Sequence, residues 1–383
     1  MNDLPDKALL PIGMEDGLPP QAAEEARLAE RLVYEFGTWG YGRVKPPLME
    51  FEENLLFGNG AAMATQTFRV QDPLSQRMLA LRPDMTLQVA RIARSRLSRS
   101  SRPLRLAYAG QVARTKGSPL RPERQFGQVG AELIGAGGPA ADVEVILMVA
   151  ESLGRAGVRN VSIDLGLPTL AGAVTDGCDL DDAQRRRLRA ALDHKDRAAV
   201  AAMSGVLGET AARALDVMLE SVGPAREGLE KLAALDLGGD AAQQRVHLAR
   251  VMDGVEAGAP DLSITLDPVE TRGFEYHTGV TFAVFAQGVM GELGRGGRYS
   301  AGEGEEATGL TLFMDMVMQA APKSEQPKTV FLPWGVTAAK ARELRGEGWR
   351  TVSALEHTDD AQAEARRLNC GYVLVDGAIR QLD

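Results

Sequence analysis

The chain has 383 residues, of which 44% are hydrophobic and 25% are charged, and its formal net charge is -9. That length and composition predict a large core divided among two or three structural units, and they exclude a mainly disordered chain. The negative charge repels polyanions, so nucleic acid is not an expected partner.

The cysteines, histidines and apolar runs exclude several kinds of site. Cys178 and Cys370 lie far apart and outside any Cys-based motif, which predicts free thiols and a reducing, cytoplasmic location. The histidines show no ligand spacing, so neither a metal nor a cofactor is expected. They are His194, His247, His277 and His357. No run approaches the roughly 20 apolar residues of a membrane span, and the first ten residues do not resemble a signal peptide.

The first predicted helix follows Leu18–Pro20, because proline is favoured in a first helical turn. Apolar residues then recur at helical spacing as far as Phe36, and Gly40 ends the helix. An edge strand is predicted over Val44–Met49, because Pro46–Pro47 blocks a helix and lacks the amides of a central strand. Such an edge is a place where two subunits can meet.

The next elements mix helices with short strands. A helix is predicted just after Pro83, because apolar residues recur at helical spacing from Met85 to Ala93. Two strands, Leu104–Tyr108 and Gln128–Ile134, come next. A further amphipathic helix is predicted from Asp142 to Leu153.

A change of composition marks an inserted subdomain. Residues from about 179 to 257 are rich in Ala, Leu, Arg and Glu, which predicts a helical insertion. Strand patterns return after it, and an apolar run over Thr308–Met316 leads into a helix. The predicted strands are Ser263–Leu266, Tyr276–Phe285 and Gly288–Leu293.

The last part of the chain is predicted to be a separate unit. Residues 321–328 contain two prolines and three charges and are predicted to be a linker after a core of residues 1–320. Residues 329–383 alternate strands with helices, which is typical of a small α/β unit. Its predicted elements are Thr329–Leu332, Ala338–Leu344, Thr351–Ala354, Gln362–Leu368 and Tyr372–Val375.

Two segments of the core carry clustered polar side chains. In the segment Arg82–Thr86, Asp84 lies at the start of the predicted helix, and on the residues alone the favoured interpretation is that it caps that helix. Gln128 and Glu132 are four residues apart and share one face of a strand. On the residues alone, Glu132 could also be a surface carboxylate at the strand end.

Two more segments complete a series of motifs. They are Thr271–Gly279 and Gly294–Tyr299, the latter reading Gly-Arg-Gly-Gly-Arg-Tyr. In this order the motifs resemble the catalytic core of the histidyl-tRNA synthetase family over most of residues 8–320. The resemblance implies an α+β fold with a class II aminoacyl-tRNA synthetase-like antiparallel sheet flanked by helices, a helical insertion and a small C-terminal α/β unit.

The resemblance also implies a histidine-binding site. Asp84 and Thr86 would receive the ammonium group, Arg272 would pair with the carboxylate, and Gln128 and Glu132 would contact the ligand, with Glu132 accepting a hydrogen bond from the imidazole. Tyr276 and His277 would lie beside the imidazole, His277 standing where the family has a second tyrosine.

Two departures from the family pattern argue against catalysis. Met316 stands where the family has an arginine that binds phosphate, and a thioether supplies neither its charge nor its hydrogen bonds. Arg114 is retained, but Lys116 replaces an acidic residue used against the adenine of ATP. These three residues are therefore predicted to form a vestigial ATP site, with no catalytic residue.

With these departures, the chain resembles a paralogous family, the ATP phosphoribosyltransferase regulatory subunits. The resemblance implies a non-catalytic chain that dimerises within a hetero-oligomer, supports a short-form ATP phosphoribosyltransferase catalytic subunit and takes part in feedback control by histidine, in the first step of histidine biosynthesis. A genuine histidyl-tRNA synthetase and a free-standing histidine sensor or tRNA-binding module remain the alternatives.

Overall fold

The computed structural model describes residues 9–56, 63–117, 121–270, 276–302, 304–323 and 327–382. The chain divides into two compact units, Met1–Pro322 and Lys323–Asp383. Within the described residues, the larger unit contains one sheet of nine strands and one of three, and the smaller unit contains a sheet of four. None of the described helices is long and apolar enough to cross a bilayer.

The larger unit begins with elements that precede the insertion. They are α1 (Gln21–Thr38), β1 (Gly42–Arg43), β2 (Met49–Phe51), α2 (Glu52–Leu55), β3 (Arg69–Gln71), β4 (Met78–Leu81), α3 (Thr86–Ser95), β5 (Leu104–Ala113), β6 (Gln125–Ile134), α4 (Pro139–Arg155), β7 (Val161–Gly166) and α5 (Leu170–Val174). The helix predicted after the prolines is confirmed as α1, and Leu28, Leu32 and Phe36 form its buried face.

The predicted helical insertion is confirmed as six helices that begin at Asp182, with one two-residue strand among them. Its elements are α6 (Asp182–Asp193), α7 (Arg197–Ala201), α8 (Ser204–Leu207), α9 (Glu209–Glu220), β8 (Gly223–Pro224), α10 (Ala225–Ala233) and α11 (Gly239–Gly258). The strand β8 pairs with the next strand of the core, which attaches the insertion to the edge of the large sheet. The sequence prediction missed this strand because two residues carry no detectable alternation.

The core then resumes, and the smaller unit follows. The remaining elements are β9 (Ser263–Asp267), β10 (His277–Ala286), β11 (Gly294–Gly302), β12 (Glu305–Phe313), α12 (Met314–Ala320), β13 (Thr329–Leu332), α13 (Ala338–Gly346), β14 (Arg350–Ser353), α14 (Ala361–Arg367), β15 (Tyr372–Val375) and β16 (Ala378–Gln381). Residues 324–326 of the predicted linker lie outside the described residues.

The large sheet has the strand order β1-β5-β6-β12-β11-β10-β7-β9-β8. Its pairs are antiparallel except β1 with β5 and β7 with β9, which are parallel. Gly127 faces Glu25 of α1 and Met314 of α12, so these helices cover the face opposite to that of its neighbour Gln128. The helix α3 packs against β6 and β11. The predicted class II synthetase-like sheet flanked by helices is thereby confirmed.

Two strand predictions are wrong for identifiable reasons. The segment Val44–Met49 is not an edge strand, because the carbonyls of its two prolines accept hydrogen bonds from the side chains of Arg82 and Gln88. Gly288–Leu293 is a turn, because Gly288 and Gly291 have positive φ angles, and the strand is the glycine-rich run that follows it.

The smaller unit has the strand order β14-β13-β15-β16, in which the first three strands are parallel and the last is antiparallel. The strands predicted at Thr329–Leu332 and Tyr372–Val375 are confirmed with the same bounds. The sequence prediction did not include β16, which pairs with β15 through a tight turn at Asp376 and Gly377, both with positive φ angles.

Candidate functional site

A row of glycines forms the floor of the candidate site. Glu132 on β6 is paired with Gly309 on β12, and Gly309 is paired with Gly297 on β11. A Cβ atom on Gly309 would overlap the Glu132 carboxylate, and one on Gly297 would lie 2.8 Å from Cδ2 of His277. The two glycines, here called the glycine floor, therefore leave the space that these side chains occupy.

Glu132 is the centre of a buried hydrogen-bond network. The hydroxyl of Tyr108 donates to its Oε1 at 3.1 Å, and the hydroxyl of Tyr299 donates to its Oε2 at 2.9 Å. The Tyr108 oxygen also lies 3.2 Å from Oγ1 of Thr86 and 3.0 Å from Oγ1 of Thr311. We call these five residues the Glu132 cluster. The sequence alternative that Glu132 is a surface carboxylate is wrong, because its side chain is fully buried.

Burial of the Glu132 carboxyl favours its protonated form. Burial raises its pKa to about 8, against the lowering effect of the hydrogen bonds from Tyr299, Thr86 and Tyr108, while the nearby charge of Asp84 raises it further. An incoming group that donates a hydrogen bond or carries positive charge would favour the ionised form. The cluster is therefore suited to receive a donor or a cation.

Asp84 links the start of α3 to β6. Its Oδ1 accepts the backbone N–H of Thr86 at 2.8 Å, and its Oδ2 accepts Nε2 of Gln128 at 2.9 Å. Oε1 of Gln128 in turn accepts the N–H of Met85 at 3.2 Å. The guanidinium of Arg114 lies 4.0 Å from Oδ2 of Asp84. Asp84 thus binds the first helical amide and also presents a carboxylate beside the cluster.

The aromatic pair Tyr276 and His277 covers the glycine floor. The two rings stack with centroids 4.2 Å apart and an interplanar angle of 30°. The ring of Tyr276 also meets that of Tyr299 edge to face, with centroids 6.2 Å apart. The free space left between this pair and the floor is about 10 Å³, which is room for about one water molecule.

The residues predicted to bind histidine therefore fall into two groups. Six of them lie together in and beside the Glu132 cluster: Asp84, Thr86, Gln128, Glu132, Tyr276 and His277. Arg272 lies outside the described residues. Among the described residues, no group of three His, Cys, Asp or Glu side chains is placed to hold a metal ion.

The residues of the predicted vestigial ATP site have different environments. Arg114 donates from Nε to the carbonyl of Pro83 at 3.1 Å, and burial lowers the pKa of Arg114. Met316 is buried in the first turn of α12, where its sulfur accepts a hydrogen bond from Gln319. Lys116 is exposed.

A second buried carboxylate supports the floor from the other face of the sheet. Asp142 of α4 accepts hydrogen bonds from Arg298 at 2.7 Å, from Thr308 at 2.6 Å and from His247 of the insertion, whose Nε2 lies 2.6 Å away. Arg298 and Thr308 adjoin the two floor glycines in sequence. Sequence reasoning named Asp142 only as the start of a helix and did not identify this contact.

Tyr108 and Thr311 are site residues that sequence reasoning missed. Tyr108 ends the predicted strand Leu104–Tyr108 and alternates with Arg105 and Ala107, and a buried tyrosine requires a partner for its hydroxyl. That requirement was a usable signal for a polar group in the core. Thr311 carried no comparable signal, because it lies within an apolar run.

The chain is similar to known proteins in both sequence and fold. The histidyl-tRNA synthetase family model matches residues 13–317. The crystal structure of an ATP phosphoribosyltransferase regulatory subunit/histidyl-tRNA synthetase from Bacillus halodurans is similar with a TM-score of 0.81 and 25% identity, over 95% of this chain and 97% of that one.

Curated relatives match along the whole chain. An ATP phosphoribosyltransferase regulatory subunit of Rhodospirillum centenum is 52% identical over 99% of this chain and 97% of the relative. Its counterpart in Paramagnetospirillum magneticum is 51% identical over the full length of both chains. This chain therefore belongs to the family of ATP phosphoribosyltransferase regulatory subunits, with a core of the histidyl-tRNA synthetase type.

Proposed function

We propose that this chain is the regulatory subunit of an ATP phosphoribosyltransferase and acts with a short-form catalytic subunit in the first step of histidine biosynthesis. The observation that carries the proposal is the 52% identity with a relative of that name over 99% of this chain. The match includes the helical insertion and the small C-terminal unit, so it extends beyond the features of a shared fold. Both cysteines are free thiols, which supports a cytoplasmic complex.

We further propose that histidine is the ligand of the Glu132 cluster and the feedback signal of the complex. Asp84 and Thr86 offer acceptors to the ammonium group, and the ionised Glu132 would accept a hydrogen bond from the imidazole. Arg272 would pair with the ligand carboxylate. The cavity of about 10 Å³ beneath Tyr276 and His277 does not admit an imidazole ring, so a ligand that reaches Glu132 through this cavity would require the aromatic pair to move off the glycine floor.

We propose that the chain does not activate histidine with ATP. In that reaction the histidine carboxylate would attack the α-phosphorus of ATP and pyrophosphate would leave, so cations are needed to stabilise the departing charge. Met316 is a buried thioether at one of the positions concerned. The purified chain with ATP and histidine should give no pyrophosphate exchange. Exchange at ordinary enzymatic rates would favour the alternative of a genuine synthetase.

The partner claim is tested by mixing this chain with a short ATP phosphoribosyltransferase. We expect a hetero-oligomer by light scattering, a dimer of this chain within it, and stimulated formation of phosphoribosyl-ATP. Absence of both complex and stimulation would favour the free-standing sensor. Histidine should inhibit the complex but not the catalytic subunit alone.

The ligand claim is tested by calorimetric titration of histidine into four chains: the wild type, Arg272→Ala, Glu132→Gln and Thr86→Ala. Loss of Arg272 removes the ionic partner of the ligand carboxylate and should cost about 2–5 kcal/mol, whereas loss of the Thr86 hydroxyl should cost about 1 kcal/mol. Glu132→Gln should fall between them. An unchanged affinity for Arg272→Ala would place the ligand elsewhere.

A further inference from the structure

The guanidinium of Arg121 is enclosed by aromatic rings and a carboxylate. Its carbon lies 3.7 Å from the ring centroid of Phe313 and 5.2 Å from that of Phe126. The two rings pack edge to face, 6.0 Å apart. Nε of Arg121 donates to Oδ2 of Asp315 at 3.0 Å, and only 12% of the Arg121 side chain is exposed. We call Phe126, Phe313 and Asp315 the aromatic slot.

These contacts hold the guanidinium in one place. A desolvated cation is attracted to the face of an aromatic ring, and the ion pair adds to this attraction. Burial raises the pKa of Asp315, which Arg121 opposes by its charge and hydrogen bond. The other oxygen of Asp315, Oδ1, is buried and has no hydrogen-bond partner among the described residues. The aromatic slot therefore offers a flat apolar face with a buried acceptor at its edge.

Positive charge lies next to the aromatic slot. The guanidinium of Arg114 is 5.2 Å from the ring of Phe126. Burial lowers the pKa of Arg114, the charge of Asp84 raises it, and the charges of Arg121 and Arg295 lower it further. These groups would suit a ligand with three features: a flat ring to stack on the aromatic face, an amino donor for the Asp315 oxygen, and anionic groups for the nearby positive charge. A purine nucleotide has this chemistry.

We infer that Arg121 fills the base subsite of a nucleotide site that the fold retains, and thereby keeps ATP out. The planar guanidinium lies on Phe313 and donates to Asp315, as a purine with an amino group could do in its place. The exclusion is separate from the loss of charge at Met316. It depends neither on histidine as ligand nor on the partner enzyme.

The test is titration of the full-length chain with ATP and, separately, with inorganic tripolyphosphate. Arg121→Met keeps an unbranched side chain but removes the charge and the planar group, and should bind ATP about tenfold more tightly than the wild type or better, a gain of at least about 1.4 kcal/mol. Tripolyphosphate should bind no more tightly, because a cation has been removed. Arg186→Met, which removes an exposed arginine from α6 of the insertion, should show no gain for ATP.

Three results would overturn the inference. The first is equal ATP affinity in the wild type and a folded Arg121→Met chain. The second is a gain for tripolyphosphate as large as the gain for ATP, which would assign the effect to charge alone. If Arg121→Met does not fold, Arg121→Lys replaces it in the test, because lysine keeps the ion pair with Asp315 but cannot stack as a planar group. The third overturning result is then an ATP affinity of Arg121→Lys no higher than that of the wild type.

Discussion

Replacing Glu132 by glutamine should make the protein more stable at high pH, by an amount set by burial. In the folded chain the pKa of Glu132 is about 8, against 4.5 as its ordinary value. Below pH 4.5 the carboxyl is protonated in both the folded and the unfolded chain, and its contribution to the stability of the folded chain is fully retained. Between the two pKa values only the unfolded chain ionises, so stability falls as pH rises and stops falling above about pH 8.

The size of the effect follows from the difference in pKa. At about 1.36 kcal/mol for each pKa unit, the full loss is about 5 kcal/mol, of which about 4 kcal/mol falls between pH 5 and pH 9. Glutamine has the same shape, which the glycine floor requires, and it does not titrate. The stability of Glu132→Gln relative to the wild type should therefore rise by about 4 kcal/mol over that range.

The assay is urea unfolding followed by circular dichroism at five pH values from 5 to 9. Glu144→Gln is the matched control. Burial raises the pKa of Glu144, but the hydrogen bonds from Arg105 and Tyr41 together with the charge of Arg105 lower it below its ordinary value, so the group is ionised in both states throughout this range. Its stability difference should stay flat. A flat difference for Glu132→Gln as well would mean that Glu132 ionises normally in the folded chain, and the reasoning from burial would be refuted.

Three further outcomes are expected. Gly309→Ala should lower the free energy of unfolding by about 1–3 kcal/mol, because its Cβ overlaps the Glu132 carboxylate. In the same urea titration, Gly172→Ala on α5, where a Cβ meets open space, should raise the free energy of unfolding by about 0.5–1 kcal/mol. Asp142→Ala should cost about 3–5 kcal/mol in thermal or urea unfolding by leaving the Arg298 charge buried, and no loss would contradict the ion pair. Histidine binding at pH 7 should release protons from Glu132 to the buffer, so the calorimetric heat should depend on the ionisation enthalpy of the buffer; a buffer-independent heat would contradict this.

Much of the fold could be predicted because its signals are local. Helix α1 follows from the prolines before it and the apolar spacing within it, and β13 and β15 follow from short apolar runs between turn residues. The errors are also local in origin. A pair of prolines is compatible both with an edge strand and with an extended segment bound by side chains, and only Arg82 and Gln88, far along the chain, decide between them.

The burial of Glu132 could not be predicted from its own segment. Its environment is made by Tyr108 on the neighbouring strand and Tyr299 on a strand two places away, and the two carboxylate oxygens reach both because Gly309 between them has no side chain. Such an arrangement depends on strand order, which sequence spacing does not encode. The resemblance to a family supplied the position of Glu132, and the structure supplied its chemistry.

The helical insertion and the floor of the site are packed as one body through buried charge. Asp142 joins His247 of α11 to Arg298 and Thr308, and these two residues adjoin the glycines beneath the Tyr276–His277 pair. Burying the Asp142 carboxylate without its hydrogen-bond donors would be costly, so this packing is stable only while the donors stay in place. A displacement of α11 must therefore break the hydrogen bond between His247 and Asp142 or move the strand pair that carries the glycine floor.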